Sequence, residues 1–142
     1  MIFVYYRVSG FRFQVLIKYI KIQNYFMRKF RDLSIWMKSH LLSLKIYSIS
    51  KTYPKEELFG LITQMKRSAS SIPTNIAEGC GRNTNPDFKR FLTIAPGSAS
   101  ELEYQLILSK DLKLISDTKY KELEKDVMEI RKMIYAFIKN IP

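Results

Sequence analysis

The stretch SSIPTNIAEGCGRNTNP, residues 70–86, decides how the chain is organised. Its Gly-Cys-Gly run is typical of the end of a helix, where glycine commonly forms the cap. Thr84 then precedes Asp87 by three residues, which is the spacing of a capping box, and Pro86 suits the first turn of a helix. The stretch therefore predicts the end of one helix, a short turn and the start of the next.

Apolar residues recur at helical spacing on both sides of this turn, and no alternating run is long enough to predict a strand. The expected stripes are Leu33, Trp36, His40, Leu44 and Tyr47, with Ile35, Leu42, Ile46 and Ile49 beside them, in helix one; Leu58, Leu61, Ile62, Met65, Ala69, Ile72 and Ile76 in helix two; Phe88, Phe91, Leu92, Ala95, Ala99, Leu102 and Leu106 in helix three; and Tyr120, Leu123, Val127, Ile130, Ile134, Phe137 and Ile141 in helix four. Four helices of roughly 20 to 28 residues joined by short loops predict an all-α fold, an antiparallel up-down-up-down four-helix bundle.

The helix boundaries before the central turn follow from local signals. Asp32 is the expected N-cap of helix one, and Pro54 separates helix one from helix two. Glu56 and Glu57 favour the N-terminus of helix two through the helix dipole. The apolar face of helix one is wide, so we expect it to contact more than one neighbour.

Residues 1–26 differ in composition from the rest of the chain. They carry four basic and no acidic residues among many apolar ones, and the basic residues interrupt every apolar run. A secretory signal or a membrane span needs an uninterrupted run. A basic amphipathic segment that binds a membrane surface stays an alternative. We predict that residues 1–26 lie outside the folded domain, that the bundle occupies residues 27–142, and that Met27 is an alternative start of translation.

Residue types needed for catalysis or metal binding are scarce. The glycines of the central turn follow a helix and lack the frame of a phosphate-binding loop. Cys80 is the single cysteine and His40 the single histidine, and a histidine on an apolar stripe is more often a core residue than a catalytic base. We therefore predict no enzyme activity, no metal, no cofactor and no small-molecule substrate. One cysteine cannot form an intramolecular disulfide, which favours a cytoplasmic protein.

A stripe of small and amide side chains follows one side of helix two. A solvated face usually carries Lys and Glu, whereas this composition permits the close approach of another helix or subunit. The stripe is the predicted interface of a homo-oligomer, and its members are Gln64, Ser68, Ser71, Asn75 and Glu78.

The chain is strongly basic, with 24 Lys and Arg against 13 Asp and Glu and a net charge of +11. A surplus of this size favours anionic partners such as nucleic acid or an acidic protein surface. Five basic residues are the predicted nucleic-acid contacts: Arg82, Lys89 and Arg90 flank the central turn, and Lys66 and Arg67 lie about three to four turns away from it on helix two. The alternative is that these charges only solvate the surface.

Three segments also carry a resemblance to a known family. FRDLSIWMKSHLLSLKIY (residues 30–47), FGLITQMKRSASSIPTNIAEGCGR (residues 59–82) and RFLTIAPGSASELEYQLILSKDLKLIS (residues 90–116) resemble the four-helix-bundle proteins encoded within intervening sequences of bacterial 23S rRNA genes. The resemblance implies a bundle commonly assembled as a pentamer. It also implies a relation to the accessory variability proteins of diversity-generating retroelements, which bind nucleic acid and a reverse transcriptase through basic surface.

Two features of the chain depart from that family. Its members usually begin just before the Phe-x-Asp-Leu segment, so residues 1–26 have no counterpart. Pro96 stands where the family has a helix former, and a proline in mid-helix costs about 3 kcal/mol and favours a kink.

Two functions follow as hypotheses: an oligomeric scaffold that binds structured RNA, or a protein-interaction module that engages a partner such as a reverse transcriptase.

Overall fold

The computed structural model describes residues 28–142, which form one bundle of α-helices without a strand in that part of the chain. Predictions about residues 1–26 and Met27 lie outside the described residues. The four helices are α1 (Ser34–Ile49), α2 (Leu61–Cys80), α3 (Asn85–Asp111) and α4 (Asp117–Lys139). None of these described helices combines the length and apolarity needed to cross a membrane.

Contacts between neighbouring helices establish the direction of each one. Along every seam, a rising residue number on one helix meets a falling number on its neighbour, which is the signature of an antiparallel pair. The pairs are Ser43–Ala69 and Tyr47–Lys66 for α1 and α2, Ser68–Gln105 and Ser71–Ser98 for α2 and α3, Phe88–Phe137 and Glu103–Arg131 for α3 and α4, and Lys38–Glu129 and Lys45–Asp126 for α1 and α4. The all-α, antiparallel up-down-up-down bundle predicted from the sequence is confirmed.

The core runs along the centre of the bundle and takes side chains from all four helices. The stripe predicted for α3 is buried apart from a half-exposed Phe91, and that of α4 is buried from Tyr120 to Ile134. Phe137 is half-buried, and Ile141 lies beyond the end of α4. Most of each stripe is buried because each helix has one clearly apolar side, so that only one orientation removes its large side chains from water.

The central turn is organised as the sequence predicted. Helix α2 ends at Cys80, and α3 begins at Asn85 with Thr84 as its N-cap. The Thr84 side chain accepts a hydrogen bond from the Asp87 amide at 3.2 Å, and Pro86 lies in the first helical turn. This cap satisfies one of the amides that a helix N-terminus leaves unpaired. Helix α3 continues without interruption through Pro96, which is buried.

Several boundaries around α1 and α2 differ from the prediction. Helix α1 has 16 residues, which is fewer than expected, and begins after Asp32, which lies in a 3₁₀ turn and does not cap it. Glu56 and Glu57 also lie in a 3₁₀ turn, and α2 begins only at Leu61. Leu58 is therefore outside the helical stripe and half exposed. Short 3₁₀ turns are common connectors, and the charge signals that predict a helix start do not distinguish them from α-helix.

Candidate nucleic-acid interface

Arg28 binds the end of the bundle where α2 turns into α3. Its guanidinium donates to the carbonyl oxygen of Arg82 at 3.4 Å and to the side-chain oxygen of Asn85. The same group lies 4.3 Å from the ring centroid of Phe88, a cation–π distance. Sequence patterns did not predict this contact, because its partners follow Arg28 by more than fifty positions and nothing local to Arg28 marks them.

Arg82 is held in the turn by two side chains. Its guanidinium donates to the Glu78 carboxylate at 2.6 Å and stacks 4.2 Å from the ring centroid of Phe91. An arginine stacked on an aromatic ring is positioned at little further entropic cost, and it keeps donors for a second anion. The fixed position makes Arg82 a preformed anion contact, although Glu78 neutralises part of its charge.

Lys89 and Arg90 extend the basic surface into α3. Lys89 is half-buried and Arg90 is exposed, and neither forms an ion pair with another residue in the range 28–142. We call the set Arg28, Arg82, Lys89 and Arg90 the bundle-end cluster. The structure thus brings three of the five predicted nucleic-acid residues to one end of the bundle and adds Arg28 to them.

The other two predicted nucleic-acid residues lie further along α2. Arg67 is exposed, and Lys66 is half-buried with its Nζ atom 5.3 Å from the ring centroid of Tyr47. At 1.5 Å per residue, Arg67 is roughly 20 Å from the turn. Lys66 and Arg67 therefore form a second basic position along the bundle, separated from the bundle-end cluster by several phosphate spacings of a nucleic acid.

The predicted interface residues divide into a buried and an accessible group. Ser68 is buried and donates to Gln105 at 2.6 Å, so the helix that approaches it is α3 of the same chain. Ser71 is half-buried and accepts hydrogen bonds from Ser98 at 2.9 Å and from Asn75 at 3.0 Å. These small side chains let α2 and α3 pack closely.

The accessible members of the stripe lie towards the two ends of this seam. Gln64 is exposed, and Glu78 is exposed and paired with Arg82. Gln64 lines a groove of about 460 Å³ between α2 and α3, next to Tyr104, whose side chain is 63% exposed. The oligomer interface stays a prediction, for which Gln64, Asn75 and Glu78 offer the reachable surface.

A second groove, of about 580 Å³, lies between α1 and α2 and is mostly apolar. Its walls include Trp36, His40, Leu44 and Tyr47 from α1, and Pro73 and Ala77 from α2. The expectation that His40 is a core residue is wrong: His40 is exposed and stacks on Trp36, with ring centroids 5.1 Å apart and planes within 5°. Of the wide apolar face predicted for α1, one part is exposed with His40, namely Leu44 and Tyr47. The part predicted beside it is buried: Ile35, Leu42, Ile46 and Ile49.

Cys80 has no environment that would activate it as a nucleophile. The side chain is buried at the end of α2, and burial raises the pKa of its thiol to about 11, with nearby Arg28 opposing part of that shift. Burial disfavours the thiolate because a charge is less well solvated inside the protein. His40 lies in the groove between α1 and α2, and no hydrogen bond joins it to Cys80 among residues 28–142.

The sequence of the bundle matches a known protein family. The family model of the 23S rRNA-intervening sequence protein matches residues 31–136 of the chain. The chain belongs to this family. The resemblance noted in the sequence is thereby confirmed over the segments that carried it.

One solved structure of similar fold is a crystal structure, at 1.70 Å resolution, of a protein with unknown function from the S23 ribosomal protein family of Bacteroides thetaiotaomicron VPI-5482. It is 30% identical to this chain, with a TM-score of 0.70, and the alignment covers 75% of this chain and 99% of that one. No curated protein matches the chain.

The segment that the family model matches contains most of the candidate interface. Arg82, Lys89 and Arg90 of the bundle-end cluster lie within it, as does the groove wall from Trp36 to Tyr47. Arg28 lies three residues before the match begins. The cation that the structure adds to the cluster is thus outside the segment that the family model matches.

Proposed function

We propose that this protein is a non-enzymatic, oligomeric scaffold that binds nucleic acid, and that its ligand is structured RNA. The bundle-end cluster carries the proposal, because it gathers four cations at one end of a rigid bundle. Two of them are fixed in place by aromatic rings, Arg28 by Phe88 and Arg82 by Phe91. Fixed cations gain phosphate contacts with little loss of side-chain entropy.

The net charge of the chain supports an anionic ligand, and the spacing of the basic residues along the bundle supports a folded RNA. The net charge is +11. Arg67 and Lys66 lie roughly 20 Å from the turn, so a ligand that contacts both basic positions spans several phosphates. Recognition through fixed phosphate contacts selects the shape of a folded RNA over its sequence.

Binding of an RNA hairpin as a function of salt tests the proposal. If about four side chains contact phosphate, the plot of log affinity against log salt has a slope of about −3 to −4 for each protomer. Changing Arg67, Arg82, Lys89 and Arg90 together to Gln should weaken binding and flatten that slope. Adding Arg28→Gln to this variant should flatten whatever slope remains.

A charge-matched control separates a local interface from diffuse attraction. Lys51, Lys55, Lys113 and Lys121 are exposed at the opposite end of the bundle, and changing all four to Gln lowers the net charge equally. This control should keep nearly all the affinity and slope. Equal losses in the two variants, or no loss in the first variant while it stays folded and assembled, would show that the charge only solvates the surface.

Oligomerisation is part of the proposal and has its own test. The exposed Gln64 and the half-buried Asn75 on the α2–α3 seam support an interface there, and the family resemblance implies a pentamer. Sedimentation at micromolar concentration should give a homo-oligomer. Gln64→Glu should weaken assembly because it places an unpaired carboxylate in the contact, in the same groove as Glu57 and Glu101. Thr118→Glu, at an exposed position of α4, should not weaken it. A monomeric wild-type chain would contradict this part of the proposal.

A second candidate function is a protein-interaction module that partners a reverse transcriptase or another nucleic-acid enzyme. The groove beside Gln64 favours it, since Tyr104 is largely exposed there and Leu112 is about half exposed. Exposed aromatic side chains in a groove are typical of protein contact sites. A reverse-transcriptase gene next to the coding sequence would favour this candidate, whereas a position inside an rRNA gene would favour the RNA scaffold.

A further inference from the structure

The groove between α1 and α2 contains a row of rings with a gap in it. Along α1 the row runs Trp36, His40, Leu44 and Tyr47, and Phe30 adds a fifth apolar side chain at one end. Trp36 and His40 are stacked in parallel, and Phe30 meets Trp36 edge to face with centroids 4.9 Å apart. Leu44 is the one member of the α1 row without a ring.

The gap above Leu44 has the length of one or two stacked bases. His40 and Tyr47 are seven residues apart, which is about 10 Å along a helix axis. Bases in a nucleic-acid strand stack at about 3.4 Å. A flat ring entering above Leu44 would therefore continue the Trp36–His40 stack towards Tyr47, whose side chain is 46% exposed.

Cations stand at both ends of the groove. The Arg31 guanidinium lies 5.6 Å from the Phe30 ring centroid, and the Lys66 ammonium lies 5.3 Å from that of Tyr47. Glu78 is the one acidic residue among the lining residues within 28–142, and it is paired with Arg82. The rim therefore favours an anionic occupant. It disfavours residues 1–26 as an occupant, because they carry basic and no acidic residues.

The groove is also continuous with the bundle-end cluster. Phe30 follows Arg28 by two residues, and Glu78 both lines the groove and binds Arg82 of the cluster. A strand whose phosphates contact the cluster can thus turn its bases into the groove without leaving the protein surface. Aromatic side chains beside a basic track are the arrangement that single-stranded nucleic acid uses for stacking.

We propose that the groove between α1 and α2 binds one or two unpaired bases of RNA, stacked between His40 and Tyr47, while Arg31, Lys66 and the bundle-end cluster contact the phosphates. This inference rests on the proposed function and adds to it a single-stranded part of the ligand. Loops and ends of a folded RNA supply such bases.

Trp36 allows a direct test, because it is the single tryptophan of the chain. The emission of Trp36 should change when the full-length protein is titrated with a short oligouridylate. An oligomer of the same length that lacks its bases should bind through phosphate alone and leave the emission unchanged. A blunt RNA duplex should also leave it unchanged, because its bases are already paired.

Two variants test the stacking residues and keep the tryptophan reporter. His40→Ala and Tyr47→Leu replace exposed side chains, so both should fold, which circular dichroism checks. Each should bind the oligouridylate about tenfold more weakly and the base-free oligomer with unchanged affinity. Tyr135→Leu removes a ring that is 53% exposed on α4, outside the groove, and should change neither affinity.

The outcomes separate this inference from the proposed function. If no RNA binds at low salt, the proposed function fails and the inference fails with it. If RNA binds through the bundle-end cluster but the Trp36 emission and the two variants show no effect, only the inference is overturned. Emission that changes with protein concentration in the absence of RNA would instead assign the groove to a second copy of the chain, and would also overturn it.

Discussion

The Ser43 hydroxyl lies 2.8 Å from the carbonyl oxygen of Ala69, inside the contact between α1 and α2. Pro73 follows Ala69 by four residues and has no amide hydrogen, so it cannot donate the helical hydrogen bond that this carbonyl would otherwise accept. Both Ser43 and Pro73 are buried. Ser43 thus offers, from the neighbouring helix, the donor that the proline removes from α2. The contact to Ala69, at 2.8 Å, is shorter than the contact of the same hydroxyl to the Ser39 carbonyl of its own helix, at 3.0 Å.

The Ser43 contact predicts a dependence of one substitution on another. Ser43→Ala should lower the free energy of unfolding by about 1 to 3 kcal/mol, because it leaves a buried carbonyl without a partner. In a Pro73→Ala background the new amide hydrogen restores the helical bond, so the same Ser43→Ala change should cost much less. Urea denaturation of the wild type, both single variants and the double variant measures the coupling.

Ser39 provides the control for that cycle. It is buried on α1 one turn earlier, and its hydroxyl donates to the Trp36 carbonyl at 2.9 Å within the same helix. That carbonyl keeps its regular helical partner when the serine is removed. Ser39→Ala should therefore cost the same in the wild-type and the Pro73→Ala backgrounds, and equal behaviour of Ser39→Ala and Ser43→Ala would contradict the assigned role of Ser43.

The same serines explain why α1 was harder to predict than α3 or α4. Helix α1 carries large apolar side chains around most of its circumference, so that periodicity alone does not select a buried side. The structure buries Ser39 and Ser43 because small side chains admit α2 and satisfy their hydroxyls on nearby carbonyls. Trp36 and His40 are displaced to the groove. Only the position of the neighbouring helix decides between these orientations.

In the candidate site too, contacts between residues close in sequence were predictable and contacts between distant residues were not. Thr84 and its cap were predictable, since every partner lies within one helical turn. Lys89 and Arg90 were also predictable neighbours of Arg82, because a short turn brings them together. Arg28 was not, since its contact depends on how the chain enters the completed bundle.

Two helical glycines should respond to alanine with opposite signs. A Cβ atom at Gly97 in α3 would meet no heavy atom within 4 Å, so Gly97→Ala should raise the free energy of unfolding by about 0.5 to 1 kcal/mol through helix propensity. At Gly79 in α2 a Cβ would lie 3.0 Å from atoms of both Phe88 and Phe91. Gly79→Ala should lower the stability by about 1 to 3 kcal/mol through overpacking. Thermal or urea unfolding of each variant measures the change, and a gain in stability at Gly79 would contradict this packing.

The Cys80 thiol should be unreactive in the folded protein. Since burial raises its pKa from 9.0 to about 11, the thiolate fraction near pH 8 falls about 100-fold, and burial adds a steric barrier. Iodoacetamide labelling should therefore be slow in buffer and fast in urea. The exposed thiol of Ser48→Cys in a Cys80→Ala background should react quickly in both conditions. Fast labelling of native Cys80 would show that the end of α2 opens readily.

The raised pKa of Cys80 also fixes a direction for stability at high pH. A group whose pKa is higher in the folded state binds its proton more tightly there, so its contribution is complete below the unfolded value. The free energy of unfolding should therefore fall as the pH rises from 9.0 towards about 11. Cys80→Ala should show a smaller fall over that range. An equal fall in both proteins would assign the alkaline loss to other groups.

Ion pairs across the α1–α4 seam should give stability a bell-shaped dependence on pH. Lys45 donates to Asp126 at 2.7 Å and lies 3.0 Å from Glu122. Hydrogen bonds to Asp126 and then Glu122 raise the pKa of Lys45 above 10.5, and hydrogen bonds from Lys119 and then Lys45 lower that of Glu122 below 4.5. The stabilisation from Lys45 is complete below pH 10.5 and is lost as the pH rises through the raised pKa of Lys45. The stabilisation from Glu122 is complete above pH 4.5 and is lost as the pH falls through the lowered pKa of Glu122.

The change Lys45→Gln should therefore lower the melting temperature most between these two limits and have little effect beyond either one. The decrease should be a few degrees at most, because the three side chains are partly exposed and water screens their interaction. Molar sodium chloride should reduce it further. The matched control is Lys121→Gln, at an exposed position of α4 without an ion pair in residues 28–142. Its effect on the melting temperature should not depend on pH in this way. Melting curves across the pH range test this prediction. A Lys45→Gln effect that is flat with pH would mean that its aliphatic stem, which lines a small cavity together with Leu41 and Leu42, contributes more than its charge.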